Sequence, residues 1–252
     1  MLKLFWAPAV RFRELTAKPE WSLPLVLALL VPLLIGTLST SLLPRRVLTD
    51  SIESRMERVK RYIDEQVEKG RMPSDQRGPA LERIEETSRQ EVEAYERSSW
   101  LALFLRFLVR SLPAVVWSLI QLLIFTALLN LVMPLLGGTT SFGRMLAVTA
   151  NAALVRIAGA LVHGLLMFAT GRLAVNTSLS LFLPAGPVFV RALLSAVDIF
   201  TVWELVLIGL GMKVVFNLPG RRSWFAVFGI WLVYIVILAL LATISGGLAL
   251  PE

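Results

Sequence analysis

The chain contains no cysteine and a single histidine, His163, among 252 residues. The first absence excludes a disulfide, a zinc-thiolate site and a thiol nucleophile. The second excludes a His-x-x-x-His zinc pair, and the sequence has neither a Gly-x-Ser-x-Gly elbow nor a phosphate-binding Gly-Lys loop. No helix-turn-helix, zinc-finger or RNA-binding signature accompanies the net charge of +7, so nucleic acid is not the partner implied. Acids are scarce too: beyond residue 100, only Asp198 and Glu204 precede Glu252. Six apart on one helix, those two point to different sides of it and make a poor carboxylate dyad. What remains is a non-enzymatic protein with no cofactor or metal.

Apolar residues are abundant instead. They make up 56% of the chain, whose mean hydropathy is +0.71, values that point to a multi-spanning membrane protein in a lipid bilayer. Basic residues beside the spans then follow from the positive-inside bias and from anionic lipid. Residues 23–43 are uncharged and long enough to cross as a helix, with Pro32 inside. They lack a small-x-small cleavage site before the charged stretch that follows, so the sequence predicts a retained span. Ahead of it, residues 1–20 are amphipathic, mixing Leu2, Leu4 and Val10 with Lys3 and Lys18. Pro8 suits a first helical turn. Such a helix would either anchor in the membrane interface through Phe5, Trp6, Pro8, Arg11, Phe12, Arg13 and Trp21, or pack as a stub on the bundle.

Residues 44–99 differ sharply, with 12 basic and 13 acidic side chains and little apolar surface. Asp50 and Glu53 resemble a capping box, Ile52, Met56, Val59, Ile63 and Val67 recur at helical spacing, and Gly70 is a natural stop. After a turn through Pro73, Pro79 is expected to open a second helix with Leu81, Ile84, Val92 and Tyr95 on one side. This helical hairpin is either a solvated arm with a thin seam or a partner-docking arm. In the latter case Ile52, Met56, Val59, Ile63, Leu81, Ile84, Val92 and Tyr95 are the candidate contacts.

Residues 100–252 read as a membrane domain with four further spans near 112–135, 145–170, 198–216 and 224–244, preceded by an interfacial lead-in helix at 100–110. The segment 188–197 is too short to cross. Charge bias favours a cytosolic N-terminus with the hairpin and C-terminus outside, although Arg45, Arg46, Arg106 and Arg110 oppose it. Arg156 falls midway along the third span, where an unpaired cation is costly. His163, seven residues on, shares its face; Asn151 does not. Glu204 is the expected partner of Arg156 if the two helices run side by side, and Asp198 is placed to cap its helix. The cluster of Arg156, His163, Asp198 and Glu204 can be read as a register-fixing pair, a partner-binding surface or an ion path.

Several patterns carry a resemblance. The chain opens Phe5-x-x-Pro8-x-x-x-Phe12-x-x-Leu15-x-x-x-Pro19-x-Trp21-x-x-Pro24. It continues with Gly137-Gly138 before Ser141-Phe142, and with Asp198-x-Phe200-x-x-Trp203 leading to Leu207, Gly209 and Gly211. In order and spacing these resemble bacterial members of the Yip1 family of multi-spanning membrane proteins over most of the chain outside 44–99. The Asp-Leu-Tyr-Gly-type N-terminal motif of eukaryotic members is missing, so a vesicle-trafficking role is not implied. The resemblance implies an all-α integral membrane bundle of about five spans in the bacterial inner (cytoplasmic) membrane. It also implies an accessory role that stabilises or regulates a larger complex, with an ABC exporter (permease and ATPase) as the partner and a homo-oligomer left open. A small-solute or ion transporter using Arg156 and Glu204 is the alternative.

Overall fold

Helix follows helix through the residues that the computed structural model describes, 3–173, 175–183 and 186–244. Leu2, counted in the amphipathic N-terminal segment, and the C-terminus, expected outside the membrane, lie beyond those residues. Helices α1 (Lys3–Trp6) and α2 (Pro8–Ala17) precede α3 (Ser22–Leu42). The charged stretch forms α4 (Arg45–Glu68) and α5 (Ser74–Arg97). Next come α6 (Trp100–Val132), α7 (Phe142–Ala152), α8 (Val155–Thr170), α9 (Val188–Ser195), α10 (Ile199–Val215) and α11 (Gly220–Ile244). No strand forms among the described residues, apart from one isolated bridge between Ser178 and Asp198.

Among the described residues four stretches are long and apolar enough to cross a bilayer: Ser22–Leu42, Trp100–Leu136, Phe142–Thr170 and Gly220–Ile244. Helix α10 is apolar too, but its 17 residues reach only about 26 Å, the short limit for a span. The faces of these helices are apolar outward as well as inward. Along α6, Leu105, Val109, Val116, Ile120, Ile124 and Leu131 are all exposed, as lipid-facing residues should be. The protein is therefore an integral membrane helical bundle.

Three boundaries differ from expectation. The lead-in helix and second span are one continuous α6, which runs through Pro113. The proline costs one hydrogen bond, and its ring lies on the exposed side, away from the helix packing. The third span is two helices: Arg156 N–H bonds Ala153 O and Ile157 N–H bonds Leu154 O, an i+3 tightening that separates α7 from α8. In the hairpin, α4 starts at Arg45 after an extended Pro44, so Asp50 is interior rather than a cap. Likewise α5 starts at Ser74 after Pro73, and Pro79 sits inside it. Gly78 makes that possible, since without a Cβ it avoids the usual clash with a following proline ring.

Contacts divide the described residues into two units. The first draws on residues 3–36, 111–163, 176–183 and 186–244, the second on residues 37–110, 164–173 and 175. The first has a core of Phe12 and Leu15 from α2, Leu122 and Leu129 from α6, Met145 and Val148 from α7, and Ile208 and Met212 from α10. The close approach at Gly211 is built in: a Cβ there would lie 2.5 Å from Val148 Cγ1 and 2.8 Å from Phe12 Cε1. Inside this unit Thr126 and Thr149 share a buried hydrogen bond of 2.7 Å, joining α6 to α7.

In the second unit α4 packs on α5. Helix α4 ends in a Schellman turn, with Gly70 at φ +65° donating to Val67 O and Arg71 donating to Gln66 O. Ile52, Ile63 and Tyr95 are buried in the seam, and Met56, Val59, Leu81, Ile84 and Val92 are half-buried along it. The seam residues thus close the hairpin on itself and leave its charged faces outward. At its base Arg45 bonds the carbonyls of Tyr95 and Ser98, orphan acceptors at the end of α5. Burial pushes the Tyr95 phenol up from its ordinary pKa, helped by the neighbouring Glu91 carboxylate, and Arg106 stacks over its ring at 5.5 Å.

Candidate functional site

The membrane unit has a half-open cavity of about 670 Å³ between α6, α8, α10 and α11. Its walls are mostly apolar, with Trp117, Phe125, Phe200 and Trp231 prominent, and one polar strip crosses them. Arg156 is the strip's centre. As the second residue of α8 it sits at the positive end of the helix dipole, a poor place for a cation without a counter-charge. Glu204 supplies that charge from α10: Arg156 Nε donates to Oε2 at 2.9 Å and Nη2 to Oε1 at 2.9 Å. The remaining Nη1 donates to Ser118 Oγ of α6 at 2.8 Å. The guanidinium thus ties three helices together, in the fork geometry that suits a planar cation and a carboxylate.

The other candidates share the cavity without joining the pair. His163 lines it from α8. Asp198 lines it as well, but its carboxylate caps α10, accepting from Phe200 N–H at 2.7 Å, Thr201 N–H at 3.0 Å and Thr201 Oγ1 at 2.6 Å. Sequence reasoning missed Ser118, and it missed Gln121, which donates to the Tyr234 hydroxyl across the cavity from α6 to α11. The available signal was two polar side chains three apart in an otherwise apolar run.

The proposed anchor residues divide. Trp6, Arg13 and Trp21 are exposed, and Phe5 and Pro8 are half-buried, Phe5 with its ring edge-on to Trp203 at 5.8 Å. Arg11 and Phe12 instead face protein. Phe12 is fully buried in the core, and Arg11 Nε donates to Asn151 Oδ1 at 3.1 Å while its two amino groups reach Glu14 and Glu20 at 3.2 and 3.3 Å. Asn151 Nδ2 completes the network on Glu20 O at 2.9 Å. Hydrogen bonds from Lys3 and Arg11 hold the Glu14 carboxyl below its ordinary pKa, and Lys18 and Arg11 do the same for Glu20. Helix α2 is thus docked on α7 and α10 along one face and open along the other.

A helical membrane bundle with a docked amphipathic N-terminal helix and an ion pair between its spans is the class these observations define. Within that class, residues 2–243 match the family model of the Yip1 domain, and the chain belongs to the Yip1 family. It is similar to membrane protein YknW of Bacillus subtilis (strain 168), with 25% identity over 139 residues, 53% of this chain and 60% of that one. The match thus spans less than two thirds of that relative's length. No solved structure matches the chain.

Proposed function

We propose that the protein is a non-enzymatic accessory subunit that binds a larger membrane complex and stabilises or regulates it, the partner being an ABC exporter of permease and ATPase. It would lie in the bacterial inner membrane with the N-terminus cytosolic and the hairpin and C-terminus outside. What supports this reading is how the intramembrane charge is used. Arg156 spends its donors on Glu204 and Ser118, and Asp198 spends its carboxylate on the start of α10. Groups held this way fix helix positions, whereas a transport path needs polar groups free to exchange partners. The exporter partnership itself rests on family analogy, which supports a fold better than a task.

The rival reading is a small-solute or ion transporter working through Arg156 and Glu204. The observation in its favour is the cavity of about 670 Å³ that both residues line. Affinity purification of the tagged chain from native membranes in mild detergent separates the two. An ABC permease and ATPase recovered at near-stoichiometric amounts, and permease levels that fall when this chain is deleted, are the expected outcome. A chain that arrives alone, and that moves solute when reconstituted by itself, would sink the accessory reading.

A further inference from the structure

The second unit holds a smaller cavity of about 250 Å³, and its chemistry is unlike that of the first. Three guanidinium groups reach it: Arg55 and Arg58 from α4 and Arg110 from α6. Against them stands one carboxylate, Glu91 of α5. That carboxylate is fully engaged, accepting from Arg55 Nη2, from Arg110 Nη1 at 3.5 Å and from the Tyr95 hydroxyl at 3.1 Å. Glu91 therefore fixes two of the arginines in place and leaves the lining with an excess of two positive charges.

Arg58 is the residue that this arrangement does not satisfy. Its Nε is buried and has no hydrogen-bond partner among the described residues. None of their carboxylates reaches it within salt-bridge distance. A buried N–H on a permanently charged group is costly unless something accepts from it. Leu48, Ile52, Phe107 and Leu173 supply the apolar part of the lining. An anion with a hydrocarbon attachment satisfies both halves of such a lining; a bare ion satisfies one.

The position along the helices identifies the depth. Helix α6 has 33 residues and is about 50 Å long, against a hydrocarbon core of about 30 Å. Phe107 and Arg110 lie near its first end, after an exposed Trp100 of the kind that marks the interface, and Leu173 follows the last residue of α8. The cavity is thus lined by residues at the ends of membrane helices, where lipid phosphates lie.

We propose that this cavity is a binding site for a phosphodiester anion, supplied by the headgroup of an anionic phospholipid. Arg58 and Arg110 grip its oxygens, and the apolar wall takes the root of the acyl chains. Glu91 holds Arg55 and Arg110 beside the cavity when the site is empty.

The test uses the full chain in mild detergent and reads its melting temperature as lipid is added, with phosphatidylglycerol, phosphatidylcholine and inorganic phosphate as separate arms. Wild type is expected to respond to phosphatidylglycerol, with an affinity about tenfold above that of Arg58→Gln, the loss of a hydrogen bond to a charged group. Arg83→Gln, exposed elsewhere on α5, should behave as wild type. Ser51→Glu places a carboxylate in the same lining, so the lipid-free protein should melt higher and lose its response. That variant keeps the proposal testable if Arg58→Gln does not fold. Equal responses to the two lipids, or a response that survives both substitutions, overturn the site. Saturation by inorganic phosphate that cancels the lipid effect overturns its assignment to a lipid.

Discussion

In the hairpin, Lys60 meets Glu85 and Arg77 meets Asp64 across the two helices, with each of the four side chains between a third and a half exposed. In the membrane unit, Arg156 meets Glu204 with side chains 30% and 15% exposed and every nitrogen of the guanidinium bonded. The interaction is the same and its consequence is not. Water and salt screen the hairpin pairs, which together give an even, soluble surface and individually decide little. The membrane pair has no such screen. Losing either partner leaves a largely buried charge without its bonded counter-charge. The hairpin can therefore lose any one of its pairs, whereas the bundle depends on Arg156 and Glu204 staying together.

The sharpest way to break that contrast is Arg156→Leu. The orphaned Glu204 should cost about 3–5 kcal/mol, enough to remove most folded protein from the membrane. Glu204→Leu should do the same. The double variant should recover most of the wild-type melting temperature in detergent, because two leucines bring no unpaired charge. A double variant as unstable as either single would mean that the charges, and not merely their balance, hold the bundle.

The next effect in size lies in the same unit. Gly211→Val must push Val148 or Phe12 aside and should cost about 1–3 kcal/mol, seen as a lowered melting temperature. Asn151→Leu comes after it. It strips Arg11 of its deepest acceptor and the Glu20 carbonyl of its donor, for about 1–2 kcal/mol. Limited proteolysis should then cut near α2 first, if that network is what docks the helix.

The sequence shows the Arg156–Glu204 contact because so little else competes for it: one mid-span cation and two acids leave few pairings. Asp198 is equally legible, an acid just ahead of an apolar run that predicts a cap, and it caps. Other features leave no local mark. The step between α7 and α8 falls at Ala153 and Leu154, with no glycine or proline to announce it, so tertiary packing sets it. Arg11 resembles any interfacial base in an amphipathic segment, and only its distant neighbour Asn151 reveals that it is buried. The hairpin helices start earlier than their caps suggested because Pro44 and Pro73, both extended, deliver the chain straight into helix. Punctuation by proline outweighed the capping signals of Asp50 and Pro79.

The smallest effect is the one that sharpens the comparison most from the other side. Hydrogen bonds from Lys69 and Lys60 hold Glu65 and Glu85 below the ordinary carboxylate pKa. A group depressed in the folded state adds stability above its unfolded pKa, about 4.3 for glutamate, and loses it as the pH falls through the folded value. The hairpin should therefore hold steady from neutral pH down to about pH 5 and weaken below that. Both carboxylates are exposed, so solvent shares the work and the change should be slight, under about twofold in amide exchange protection along α4 and α5. Lys60→Ala should remove the Glu85 part of that response and leave neutral-pH protection almost untouched. A large acid-driven opening that Lys60→Ala abolishes would show that the hairpin leans on single pairs as the bundle leans on Arg156. The contrast between the two units would then be one of number and not of kind.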